Sequence, residues 1–239
     1  MKYIKHIFFD LDHTLWDYEK NSRETLLFLF TEHLIEKTFN ITFENFTQTF
    51  ETINYNLWHQ YSLKKITQEE LRHQRFHQTF NHLNINQLGL TKLWADTYLK
   101  ITPYKTHLID GAIDILDYLK DHYKLHLITN GFKDVQHIKL NSSGLKTYFD
   151  QLIISEDHGY RKPNINIFQI AETLANTTKN ECIMIGDNYE ADILGALNAG
   201  WKAVYLSPTP LKQENEKITR IEKLSELKQL FSYKNFPLH

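Results

Sequence analysis

Ile7-Phe8-Phe9-Asp10-Leu11-Asp12-His13-Thr14 sets three consecutive apolar residues against two carboxylates spaced one residue apart. The apolar run has strand length and lacks the polar alternation of a strand with one wet face. Four more such runs follow, at Leu125-His126-Leu127-Ile128, Leu152-Ile153-Ile154, Ile183-Met184-Ile185 and Ala203-Val204-Tyr205-Leu206. Between them, apolar residues recur at helical spacing: Ile113/Leu116/Leu119, Val135/Ile138, Ile167/Phe168/Ile170/Ala171/Leu174 and Ile193/Leu194/Leu197. Apolar strands alternating with amphipathic helices predict an α/β fold, a parallel sheet covered by helices on both faces.

The stretch from about Asn21 to Leu99 has another texture. Leu26, Leu27, Phe30 and Leu34 form one helical stripe, and Phe43, Phe46, Phe50, Ile53, Leu57 and Tyr61 form a second. Leu71 and Phe80 continue the pattern, then Leu90, Leu93, Trp94 and Tyr98. Thr67 with Glu70 has the form of a capping box, in which each side chain satisfies a backbone N–H at a helix start. With no proline and only Gly89, the stretch predicts a bundle of about four helices inserted after the first strand. Ile221 to Phe231, with Leu224, Leu227 and Leu230, reads as a final amphipathic helix.

A chain of 239 residues accommodates one or two domains with a sizeable core. Its 41% apolar and 23% charged residues are those of an ordinary globular protein. The net charge of -2 gives no electrostatic reason to expect a nucleic acid polymer or an anionic membrane as partner. A single cysteine, Cys182, excludes an intrachain disulfide. The N-terminal apolar run is too short for a signal peptide, and no stretch approaches the ~20 apolar residues of a membrane helix. A cytoplasmic location is the expectation.

Ligands of parallel sheets bind at the carboxyl ends of the strands, and there the polar residues collect. The first run ends in Asp10-Leu11-Asp12-His13-Thr14 and the second in Thr129-Asn130-Gly131. Arg161-Lys162-Pro163 follows the third, and the fourth ends in Gly186-Asp187 with Asp192 five residues on. A lone Asp-x-Asp is usually a turn, but four sets at the same end of their elements require more than turns. Asp10 and Asp187 brought together would repel each other and a phosphate dianion, by ~4 kcal/mol per unit pair at ~4 Å in an effective dielectric of ~20. A divalent cation is therefore implied, and carboxylate and phosphate oxygens suit Mg²⁺. The Thr129 hydroxyl and the backbone N–H groups of Asn130 and Gly131 are donors for a phosphoryl oxygen, and Lys162 supplies a compact positive charge.

These four signatures, in this order, resemble those of the haloacid dehalogenase superfamily. Phe9-Asp10-Leu11-Asp12-His13-Thr14-Leu15 is similar to its hhhDxDxT, and Ile185-Gly186-Asp187-Asn188 through Asp192 to its GDxxxxD. Ile128-Thr129-Asn130-Gly131 and Lys162-Pro163 match the two signatures between them. The resemblance implies a Rossmann-like core from residues 1–17 and 100–239, with a helical cap domain over 18–99. It implies that Asp10 is the nucleophile, forming an aspartyl phosphate. Asp12 would protonate the leaving oxygen and then activate water, and Thr129 and Lys162 would hold the phosphoryl oxygens. Mg²⁺ would be bound by Asp10, Asp187 and the main-chain carbonyl of Asp12, and Asp192 would orient a metal water or Lys162.

An acid at position 12 argues against the metal-free dehalogenases and the phosphotransfer ATPases of the superfamily. Thr129-Asn130-Gly131-Phe132, Ser143-Gly144-Leu145, Tyr148-Phe149-Asp150, Ile154-Ser155-Glu156 and Ile167-Phe168 look like its bacterial pyrimidine 5'-nucleotidase branch. The expected partner is thus a small phosphomonoester, a nucleoside monophosphate first. A phosphoglycolate or sugar-phosphate phosphatase and a phosphomutase stay open. A receiver-like phosphorylated signalling module fits worse, because Asp10 ends the first strand and a long insert follows. Cys182 reads as packing, and so do Trp58, Tyr61, Trp94 and Tyr98. His73 and His77 have metal-ligand spacing but read as a solvated helix face. Trp16, Asp17 and Tyr18 follow the first motif closely enough to line a pocket.

Overall fold

The structure, a computed structural model, describes residues 3–87, 89–210 and 216–232. It divides into two compact units, one of residues up to Tyr18 with those from Thr106 onward, the other Glu19–Lys105.

The first unit is a six-stranded parallel sheet. In chain order it comprises β1 (His6–Phe9), α6 (Ala112–Lys120), β2 (Lys124–Thr129), α7 (Lys133–Ser142), β3 (Gln151–Ile154), α8 (Ser155–His158), α9 (Ile165–Ala175), β4 (Cys182–Gly186), α10 (Gly195–Asn198), β5 (Lys202–Leu206), β6 (Ile218–Ile221) and α11 (Leu227–Leu230). The strand order is β3-β2-β1-β4-β5-β6, every pair parallel. The two-residue period of the strands divides the core. Ile7, Phe9, Leu125, Leu127, Ile183 and Ile185 face one side, against Ile115, Leu116 and Leu119 of α6 and Leu140 of α7. Phe8, Ile128, Cys182 and Met184 face the other, against Ile167, Phe168 and Ala171 of α9. Each such side chain contributes roughly 1.5–3 kcal/mol by leaving water, so both faces must be covered.

His126 is buried in β2 despite its polar ring. It stacks on Phe8 at 4.6 Å and its Nε2 lies 2.9 Å from His6 Nδ1. Burial, with His6 beside it, lowers its pKa to about 4, so it stays neutral near pH 7. The chain end departs from the sequence expectation. Ile218–Ile221 is a sixth strand, and Ile221 to Phe231 is a 3₁₀ turn at Leu224–Glu226 followed by the single turn of α11.

The second unit consists of α1 (Tyr18–Glu32, its first residue in the other unit), α2 (Ile35–Phe39), α3 (Phe43–Ser62), α4 (Gln68–His82) and α5 (Leu90–Ile101). The short α2 is additional to the helices read from the stripes. Phe30, Phe46, Phe50, Phe76, Phe80 and Trp94 form its core. Thr67 and Glu70 make both arms of the capping box at the start of α4. No helix of the described residues is long and apolar enough to cross a membrane.

Candidate active site

The register puts the sequence motifs on one edge. Phe9 is level with Leu127 and Ile185, so Asp10, Thr129 and Asp187 emerge together at the carboxyl ends of the three central strands. Asp10 continues the ladder by one bond, its N–H donating to Ile185 O at 2.9 Å. Carboxylate oxygens of Asp10, Asp187 and Asp192 lie within 4.8 Å of one another.

Lys162 holds this group together. Its ammonium is buried and donates to Asp10 Oδ1 at 2.5 Å and to the Ile128 carbonyl at 2.7 Å. It also forms an ion pair with Asp192 Oδ1 at 2.6 Å. Burial alone would discharge Lys162, but Asp10 and Asp192 outweigh it and hold the ammonium charged. Asn130 fixes the lysine's backbone from both sides: its Nδ2 donates to Lys162 O and its Oδ1 accepts from Lys162 N, each at 2.9 Å. The Asn130 side chain therefore serves Lys162 rather than a ligand.

Asp187 accepts from Thr14 Oγ1 at 2.9 Å. Burial and the nearby Asp10 push its pKa up to about 6. Asp10 is pushed to about 7, by burial first, with Asp192 and Asp12 adding to it against Lys162. Two carboxylates this close and this reluctant to ionise form a hard-oxygen donor set that fits Mg²⁺. Asp192 is engaged otherwise, by Lys162 and by the Asn188 N–H at 3.0 Å. A π-helical turn at Tyr189–Leu194 brings it under the end of β4, a distortion frequent at functional sites. Gly186 leaves the room, since a Cβ there would stand 2.2 Å from Asp192 Oδ2.

Asp12 has partners that the sequence reading missed. Its Oδ1 accepts from Lys139 Nζ at 2.5 Å and its Oδ2 from Gln136 Nε2 at 2.9 Å. Burial would raise its pKa, but Lys139 and Gln136 outweigh burial and hold it below the usual carboxylate range. Gln136 Nε2 also donates to Thr129 Oγ1 at 2.7 Å. The N–H of Gly131, expected to face a phosphoryl oxygen, donates to the same hydroxyl at 3.1 Å. Gly131 is glycine for a steric reason too, as a Cβ would stand 1.8 Å from Gln136 Nε2. The available signal was the stripe Gln136/Lys139/Leu140, the buried residues of α7, in which two polar side chains share the apolar face.

Trp16 lies under Lys139, whose ammonium is 4.3 Å from its ring centre, and Tyr18 stands 5.7 Å from the same ammonium. Cys182 is buried and its thiol is pushed up to about 12 by burial, which leaves it inert. His73 and His77 are exposed on α4. Trp94, Tyr98 and Tyr61 are buried, and Trp58 is half-buried.

A parallel sheet with buried carboxylates and a lysine at the strand ends forms a hydrolase type of site. Residues 4–200 match the haloacid dehalogenase-like hydrolases, and the chain belongs to that family, among its phosphatases. It is 34% identical over 229 residues to the pyrimidine 5'-nucleotidase YjjG of Escherichia coli, covering 94% of this chain and 96% of that one. It is 32% identical to the pyrimidine 5'-nucleotidase PynA of Streptococcus pneumoniae, over 90% and 88% of the two chains. Among solved structures it is similar to the magnesium-bound HAD-hydrolase YfnB of Bacillus subtilis, with a TM-score of 0.83, 27% identity and coverage of 96% and 99%.

Proposed function

We propose that the protein is a magnesium-dependent phosphomonoester hydrolase acting through an aspartyl phosphate on Asp10, and that its substrates are nucleoside 5'-monophosphates, pyrimidine ones first. The observation that carries the chemistry is the Asp10 carboxylate, bonded to Lys162 at 2.5 Å and grouped with Asp187 at the end of the central strands. The substrate class rests on the similarity to the two pyrimidine 5'-nucleotidases along nearly their whole length.

Asp10 attacks phosphorus, so that one carboxylate oxygen–phosphorus bond forms as the ester oxygen–phosphorus bond breaks. Asp12, ionised in the free site, takes up a proton as the phosphate dianion binds, gives it to the departing alkoxide, then takes one from the water that hydrolyses the acyl phosphate. Lys162 neutralises charge on the phosphoryl oxygens, and Thr129 donates its hydroxyl hydrogen to one of them. Asp192 and Asn130 keep Lys162 in place. Asp10, Asp187 and the carbonyl of Asp12 would hold Mg²⁺, which supplies charge neutralisation between carboxylate and phosphate.

The test is phosphate release from deoxyuridine and thymidine monophosphates, phosphoglycolate, hexose phosphates and p-nitrophenyl phosphate, with and without Mg²⁺. Release that needs Mg²⁺, is abolished in Asp10→Asn and is fastest with pyrimidine monophosphates is the expected result. A preference for phosphoglycolate or a hexose phosphate would overturn the substrate class and leave the chemistry standing. An isomeric product in place of free phosphate would make it a mutase.

A further inference from the structure

We infer that Gln136 and Lys139, one turn apart on α7, are positioning residues: Lys139 aims the Asp12 carboxylate at the leaving oxygen, and Gln136 sets the direction in which the Thr129 hydroxyl donates. The inference rests on the phosphatase reading above and assigns roles to two residues outside the four motifs.

The hydrogen bonds fix these directions. A carboxylate only accepts, so the Gln136 atom 2.9 Å from Asp12 Oδ2 must be the amide nitrogen. That nitrogen carries two hydrogens, and the second goes to Thr129 Oγ1 at 2.7 Å. With the Gly131 N–H also arriving at 3.1 Å, both lone pairs of the hydroxyl are occupied. Its one hydrogen is left to donate, as a phosphoryl oxygen requires. Gln136 thus links the acid–base carboxylate to the phosphate-holding hydroxyl through one atom.

Lys139 restrains the other Asp12 oxygen. Lys139 is 5% exposed, and its ammonium lies between Asp12 Oδ1, at 2.5 Å, and the Trp16 ring, at 4.3 Å. A side chain with four rotatable carbons is held there by an aromatic face on one side and a carboxylate on the other. Asp12 therefore has both oxygens tied to α7 and cannot rotate freely. Only small displacements separate productive from unproductive geometry in such a proton transfer.

A purely structural role would lower turnover of every ester alike, whereas aiming Asp12 matters most where the leaving oxygen needs a proton. The experiment compares kcat/KM for thymidine monophosphate and p-nitrophenyl phosphate in the wild type, Lys139→Met, Lys139→Arg and Gln136→Leu, with urea midpoints for each. In Lys139→Met the nucleotide should lose ~10²-fold, the scale of general acid catalysis. The nitrophenyl ester, whose phenolate leaves unaided, should lose no more than a few-fold, and Lys139→Arg should recover much of the nucleotide rate. Gln136→Leu should also weaken inhibition by inorganic phosphate several-fold, by freeing Thr129 to turn. Equal losses on both esters, or unchanged kcat/KM in Lys139→Met, would overturn the assignment of Lys139. Unchanged phosphate inhibition in Gln136→Leu would overturn that of Gln136. Should Lys139→Met fail to fold, Lys139→Gln, uncharged and polar, takes its place, with the same unequal loss on the two esters expected and an equal loss overturning the assignment. A wild type that releases phosphate from no ester would sink the phosphatase reading and this inference with it, a result distinct from any change in the ratio.

Discussion

The Lys162 ammonium has no water to fall back on, and two carboxylates depend on it. Removing one partner of a buried ion pair is worth about 3–5 kcal/mol because the charge left behind is unpaired. Lys162→Met should lower stability on that scale at pH 8, where Asp10 and Asp192 are both called on to ionise. Near pH 5 the loss should shrink, because an Asp10 already pushed up to about 7 takes a proton instead. Urea unfolding at the two pH values measures the difference, and an equal loss at both would mean that the pair is not the source. Single residues of this kind were legible at strand ends, where Asp10, Asp12, Thr129 and Asp187 stand beside the turns that the strands require. Gln136 and Lys139 were not. Asp12, which both hold, lies 124 and 127 residues away in sequence, and no local pattern says which polar residue of a helix turns inward.

At the scale of elements, local chemistry and tertiary packing contribute differently. The capping box of α4 was read from Thr67 and Glu70 alone, because it needs nothing beyond four consecutive residues. Thr67→Ala should cost about 1 kcal/mol, read as a lowered urea midpoint. Gly131→Ala belongs to the other kind, since its new methyl would collide with the Gln136 amide. It should cut phosphate release more than ten-fold while moving the urea midpoint little, as a Gln136 displaced from Asp12 and Thr129 disturbs chemistry before packing. The strand-length runs and helical stripes foretold five strands with their intervening helices. Ile218–Ile221 escaped because Ile-Thr-Arg-Ile carries too few apolar residues to announce a strand. It becomes one through the edge that β5 offers it.

For the molecule as a whole, the carboxylate cluster links stability to pH and, through the cation site proposed above, to magnesium. Asp10 and Asp187, raised to about 7 and about 6, titrate near 4 when unfolded. Their folded forms hold protons more tightly, so their contribution to stability is complete below about pH 4 and is lost as pH rises through about 6 to 7. Asp12, lowered instead, acts with the opposite sign and below that window. Without magnesium, the Tm should therefore fall between about pH 4 and pH 7. Mg²⁺ held by the ionised pair, as proposed above, would raise the Tm more at pH 8 than at pH 5. A rise of equal size at both would detach the cation from these two carboxylates.

The strand order has a consequence for synthesis. β1 lies at the centre of the sheet, yet its neighbours β2 and β4 enter the chain only at Lys124 and Cys182. At the ribosome's ~5–20 residues per second, Ile7-Phe8-Phe9 waits roughly ten to thirty-five seconds before β4 is complete. The Glu19–Lys105 unit is continuous in sequence and has no such wait. The nascent protein thus carries an unpaired strand with three consecutive apolar residues, the kind of exposed span that chaperones bind.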